Sequence, residues 1–181
     1  MQENSLQTKP ENLPTEVYGQ LIPLQEHFLI VPKAAVLEVL GMEAVGVETA
    51  GPAWLLGMGE WHGKNLPVIS LEAMAGATLP VRTRRTRVVV INGFGGHLEN
   101  GLFMLLAQGY PHLTALNAAA LVSQPKRPED EDIALSRVRL ASTQAVIPDL
   151  ENIELRVSAA LRQIGASAFA GQDWEPGGES Q

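Results

Sequence analysis

The chain has no cysteine, so disulfides, thiolate metal sites, CxxC redox chemistry and a cysteine nucleophile drop out together. Long apolar runs are missing as well. The longest obvious one, residues 102–107, falls far short of the ~20 residues a membrane helix requires. Basic charge is scarce: 13 Lys and Arg against 20 Asp and Glu leave a formal charge of −7, which opposes the long-range attraction to phosphate that drives nonspecific nucleic-acid binding. Residues 1–16 are polar and acidic where a secretory signal needs a basic start and an apolar core. These absences predict a soluble, cytoplasmic protein with no direct membrane insertion and no nucleic-acid partner.

What is present is enough to build a core. Hydrophobic residues make up 45% of the chain and charged residues 18%, far from the composition of a disordered segment. A length of 181 residues fits one domain, or two intimately packed halves, burying roughly 70% of its unfolded surface. Residues 1–17 read as an N-terminal tail and residues 165–181 as a flexible C-terminal tail. The second of these is dominated from position 171 by Gly, Pro, Glu, Gln and Ser, which bury too little apolar area to offset ordering entropy.

Between the tails, short apolar runs alternate with Gly, Pro and Asn, the texture of a mainly β protein. Strands are expected over residues 18–24, 27–31, 66–71, 88–92, 101–108, 133–140 and 144–147. Pro23 predicts an edge strand or a bulge in the first run, because proline cannot donate to a ladder. Helical spacing is confined to the C-terminal part, where Leu150, Ile153, Val157, Leu161 and Ile164 follow the start signals Pro148, Asp149 and Glu151. Short helical turns are expected at residues 52–56 and 71–75, each ended by glycine, while residues 33–40 suit a helix and a strand equally. The run SQPKRPEDED at residues 123–132 reads as an exposed loop of solvated charge ahead of the last hairpin.

Motifs of catalysis and ligand binding do not assemble. The four histidines, at positions 27, 62, 97 and 112, are never three or four residues apart, so no helix can offer two of them to one metal, and HExxH is absent. The Gly-rich run NGFGGHLENG at residues 92–101 has Leu98 where the third glycine of GxGxxG would stand and leads into a strand-like segment, so it reads as a wide hairpin loop. No P-loop and no GxSxG elbow occur. The cluster RTRRTR at residues 82–87 suits phosphate recognition or, more plainly, a charged loop guarding a strand edge.

Three blocks carry a family resemblance: residues 21–39 (LIPLQEHFLIVPKAAVLEV), 52–71 (PAWLLGMGEWHGKNLPVISL) and 87–92 (RVVVIN), with QAVIPDLENI at 144–153 closing the pattern. In order and spacing they resemble the CheW-like chemotaxis adaptors, over roughly residues 18–164. Short stretches such as LIPLQ, PAWLLG and LPVISLE are most similar to the ChpC/PilI-type adaptors of pilus-linked chemosensory systems. The resemblance implies a CheW-like domain at residues 18–164, built as two interlocked five-stranded SH3-like barrels with a C-terminal amphipathic helix. It implies no enzyme activity, no catalytic residues, no metal and no cofactor. It implies instead two partners, the regulatory domain of a CheA-like histidine kinase and the cytoplasmic tip of a methyl-accepting chemoreceptor. By position in the motifs, the resemblance implies that Val36, Glu38 and Gly57 are kinase-binding residues, and Glu38 and His62 receptor-binding ones. His62 stands where most relatives have an arginine, and Ser70 where aspartate is commoner. A small-ligand-binding or enzymatic β-barrel is the alternative expectation.

Overall fold

In the computed structural model, residues 17–46, 50–117 and 119–170 are described, with side chains to residue 165; of the expected tails 1–17 and 165–181, residues 1–16 and 171–181 lie outside them, while Val17 belongs to the first strand and residues 165–170 to the last helix. Two sheets carry the fold. The first, in the order β8-β1-β2-β11-β10-β9, is six-stranded: β1 (Val17–Pro23), β2 (Phe28–Pro32), β8 (His112–Leu116), β9 (Leu121–Gln124), β10 (Ala134–Leu140) and β11 (Thr143–Pro148). The second, in the order β3-β6-β7-β5-β4, is five-stranded: β3 (Val36–Leu40), β4 (Leu55–Trp61), β5 (Lys64–Ile69), β6 (Arg87–Asn92) and β7 (Leu102–Ala107). The chain leaves the first sheet after β2, completes the second, and returns, which interlocks the two units and agrees with the CheW-like fold expected.

Strand alternation explains how one chain fills more than one core. On β6, Val89 and Ile91 face a central core between the sheets, while Val88 and Val90 face the interior of the second unit. On β7, Phe103, Leu105 and Ala107 take the central side and Leu102, Met104 and Leu106 the other. Being apolar on both faces, β7 reads as an unbroken hydrophobic run, as a strand buried on both sides must. The first unit has a smaller core of its own, Ile30, Val138 and Ala145. The helix α2 (Leu150–Ala170) closes the central core with Ile153, Val157 and Ala160 and continues to Ala170, past residue 164.

Several local expectations change in three dimensions. Pro23 is neither in an edge strand nor at a bulge. β1 lies between β8 and β2, but the β8 ladder ends at Leu21, so Pro23 faces only Phe28 of β2 and its carbonyl accepts from the Gln108 N–H at 2.8 Å. Residues 52–56 do not form a helical turn. Leu55 N–H donates to Pro52 C=O at 2.9 Å in a simple turn, and β4 starts at once because Leu55 and Leu56 are needed in the cores. The helical turn after Ser70 does form, as α1 (Leu71–Met74), with the buried Ser70 Oγ accepting from Ala73 N–H at 3.3 Å; serine thus serves as the cap that aspartate would otherwise supply. The ambiguous residues 33–40 divide into a 3₁₀ turn (Lys33–Ala35) and β3.

Residues 123–132 are not simply a solvated loop. β9 takes Ser123 and Gln124, a 3₁₀ turn (Pro128–Asp130) follows, and Asp130 is 1% exposed. Its carboxylate accepts two hydrogen bonds from Arg137, at 2.7 Å from Nε and 2.6 Å from an Nη, in the bidentate geometry that lets an ion pair survive burial. The Gly-rich run is the expected wide loop between β6 and β7, held by a group the sequence did not point to: the wholly buried Glu154 of α2 accepts from Gly95 N–H at 2.6 Å and His97 N–H at 2.9 Å. A Cβ at Gly93 would overlap that carboxylate, which explains a glycine there.

Candidate functional site

The residues singled out from the motifs lie on the second sheet and on the turn joining β4 to β5. Trp61 and Lys64 are paired, leaving His62 and Gly63 as a two-residue turn with φ of 48° and 74°. Both positive angles match the type I′ geometry that follows the natural twist of a hairpin, and glycine at the second position carries none of the Cβ strain. The turn holds the His62 imidazole edge-on to the Trp61 ring, with centroids 4.7 Å apart.

Across from the turn, Glu38 projects from β3. Its Oε2 accepts from Trp61 Nε1 at 2.6 Å and lies 3.3 Å from His62 Nε2. The indole hydrogen bond, seconded by that to His62, holds the Glu38 carboxyl below the usual carboxylate range. β3 and β4 are the two ends of the sheet order, so these contacts, with the bridge between Val45 and Gly59, draw its edges together towards a barrel. Between them lies an open groove of about 900 Å³ whose walls include Glu38, Leu40, Met58, Glu60, Trp61 and His62. Apolar side chains flank three carboxylates there, those of Glu38, Glu43 and Glu60, a surface suited to noncovalent docking.

Glu38 and His62 are therefore brought into contact. Val36 begins the same strand opposite Ile91 and is half-buried against the central core; an irregularity between Val36 and Glu38 leaves Leu37 as the 45% exposed residue. Gly57 is placed differently. It is buried within β4, at a register shift after Leu55, with φ of 141°, so its backbone shapes the strand. Trp61, which joins Glu38 to His62, carries only a faint signal in the sequence: an aromatic immediately before a tight turn, with its partner 23 residues away.

The remaining candidates disperse. Arg82, Arg84 and Arg85 are exposed on the loop before β6, whereas Arg87 is used internally, donating to the Arg84 and Thr86 carbonyls and lying 4.5 Å over the Tyr110 ring. Among the described residues, no three of the His, Asp and Glu side chains converge as metal ligands. The central core encloses a cavity of about 10 Å³ lined by residues such as Leu29, Ile91 and Phe103, room for about one water molecule. No helix among the described residues is long and apolar enough to cross a membrane.

Comparison with known proteins agrees with this architecture. A search of curated proteins finds no match. Among solved structures, the chain is similar to the scaffolding protein TtCheW from Thermoanaerobacter tengcongensis, with a TM-score of 0.60 and 16% identity over 73% of this chain and 88% of that one. At that identity the likeness speaks for the fold. The family profile described as the CheW-like domain matches residues 19–153, most of the chain and all of the groove, and this protein belongs to the CheW-like domain family.

Proposed function

We propose that this chain is a chemotaxis signal-transduction adaptor, without catalytic activity of its own, that couples methyl-accepting chemoreceptors to a CheA-like histidine kinase in a pilus-linked, twitching-type chemosensory system. The observation that carries the reading is the groove at Glu38, Trp61 and His62: its chemistry is displayed at the surface, while the interior is filled with side chains. Such an adaptor works through differential contacts. Receptor conformation biases the kinase between states separated by a few kcal/mol, on the order of 1–3, with no proton or phosphoryl group passing through the adaptor.

In this reading Val36 and Glu38 meet the kinase regulatory domain, and Gly57 keeps β4 in the shape that contact needs. Glu38 and His62 meet the receptor tip. A histidine in place of arginine substitutes an imidazole, hydrogen-bonded to Glu38, for a permanent planar fork of donors, and so retunes recognition. The pilus-linked assignment rests on the LIPLQ, PAWLLG and LPVISLE stretches.

Titration calorimetry with the genomically neighbouring CheA-like kinase tests the proposal. A one-to-one complex is expected, weakened by Val36→Asp and by the exposed, fold-sparing Glu38→Lys. Binding unchanged in both folded variants would sink the face assigned here. Deleting the gene should impair twitching and leave swimming intact; the reverse outcome would remove the pilus assignment while leaving the adaptor.

A further inference from the structure

The loop between β6 and β7 is expensively built for a connection. It is tied at its base, where Gly93 N–H donates to Gly101 C=O at 3.0 Å, and in its middle, where the buried Glu154 takes two backbone N–H groups. Leu98 tucks into the central core, and His97 Nε2 lies 3.4 Å from Glu151 on α2. What this frame displays is Phe94, 60% exposed and at a φ of 63°. A bulky side chain is disfavoured in the left-handed region, where glycine or asparagine would sit more easily. The exposed ring recovers little of that cost by packing, so folding alone gives no reason for phenylalanine here.

An aromatic held in advance in a rigid frame is what a binding anchor requires, since little motion remains to be lost on association. Its place in the sheet selects the partner. Phe94 is on the limb of the loop leaving β6, whose Ile91 sits opposite Val36; the returning limb, at Leu98 to Asn100, borders Met58 and Asn65 of β4 and β5 instead. The loop is anchored to α2 at His97 and Glu151, and Phe94 runs out beyond the Val36 end of β3.

We propose that Phe94 is a preformed anchor that inserts into an apolar cleft on the regulatory domain of the CheA-like kinase, extending the contact that starts at Val36. This rests on the adaptor reading above. Glu154 acts as a positioning residue, fixing the loop from beneath.

The test uses the full chain and the isolated kinase regulatory domain as titrant, with the melting temperature of each variant measured alongside. Phe94→Asn, which removes the ring and tolerates the left-handed backbone, is expected to weaken Kd by about tenfold or more, as hot-spot aromatics do. Its melting temperature should equal or exceed that of the parent. Affinity within twofold of the parent, while Glu38→Lys weakens binding, overturns the anchor and leaves the adaptor reading standing. A clear fall in melting temperature makes the ring structural and also overturns the anchor. No effect of either variant, or no binding by the parent chain, brings down both.

Discussion

Trp61 Nε1 donates a 2.6 Å hydrogen bond to Glu38 Oε2, so an indole at the end of one edge strand holds a carboxylate on the opposite edge of the same sheet. The bond fixes the groove wall and, as the largest influence on Glu38, lowers its carboxyl titration. Trp61→Phe keeps an aromatic and deletes the donor. The Glu38 carboxyl, followed by carbon-detected NMR titration, should then move up toward its ordinary range, with a modest loss of stability because the half-buried indole also packs against the core of the second unit. An unmoved titration would mean that the indole does not hold Glu38 in solution.

The buried Asp130–Arg137 pair predicts an asymmetric mutational response. Asp130→Ala strands a guanidinium that is 3% exposed and should cost about 3–5 kcal/mol in urea denaturation. Replacing both groups, as Asp130→Leu with Arg137→Met, removes the stranded charge along with its partner and should cost less than the single change. A single variant within 1 kcal/mol of the parent would show that the pair is not closed off from water.

Acid should weaken the fold in two stages. Burial, reinforced by the nearby Arg137 charge, pushes the His27 imidazole below its ordinary value of 6.5, so the unfolded chain takes up this proton first. Stability is therefore full above about pH 6.5 and falls as the pH drops below it. Burial works to raise the Asp130 carboxyl, but the hydrogen bonds from Arg137 and from the Arg127 N–H outweigh it and hold it under 3.8. Its contribution is present above that value and is lost as the pH falls through the lowered one. Urea midpoints measured from pH 8 to pH 3 should show both stages, and His27→Gln should flatten only the upper one. A flat profile between pH 7 and pH 5 in the parent would contradict the burial of His27.

Gly57 is predicted to act through strand shape. With φ at 141° and the residue buried, Gly57→Ala should cost about 1–3 kcal/mol, read as a lowered melting temperature. Loss of kinase binding in a Gly57 variant should follow that destabilisation. Normal stability with lost binding would make Gly57 a direct contact after all.

Much of the architecture can be read along the chain because it depends on neighbours in sequence. The alternation in RVVVIN assigns successive valines to opposite cores, and the three-and-four spacing of Ile153 and Val157 turns α2 toward the centre. Gly63 after His62 marks the reversal that places the imidazole at the groove. Strands β8 and β9 leave little trace in the sequence, since HLTAL and LVSQ are short, largely exposed edges with weak patterning. Residues 52–56 looked helical because Pro52 and Gly57 frame them, yet pairing with β5 outweighed that local preference.

The amino-acid sequence by itself determined the β-rich texture, the terminal helix, the tight turn at His62 and Gly63, and the family pattern that marks Glu38 and His62. Only the tertiary structure decided that Asp130 is paired and buried, that Glu154 clasps a loop 59 residues away, and that Trp61 bridges to Glu38. The reason is physical: a side chain's charge and polarity are written in its own letter, but whether water or another segment surrounds it depends on which distant parts of the chain pack against it.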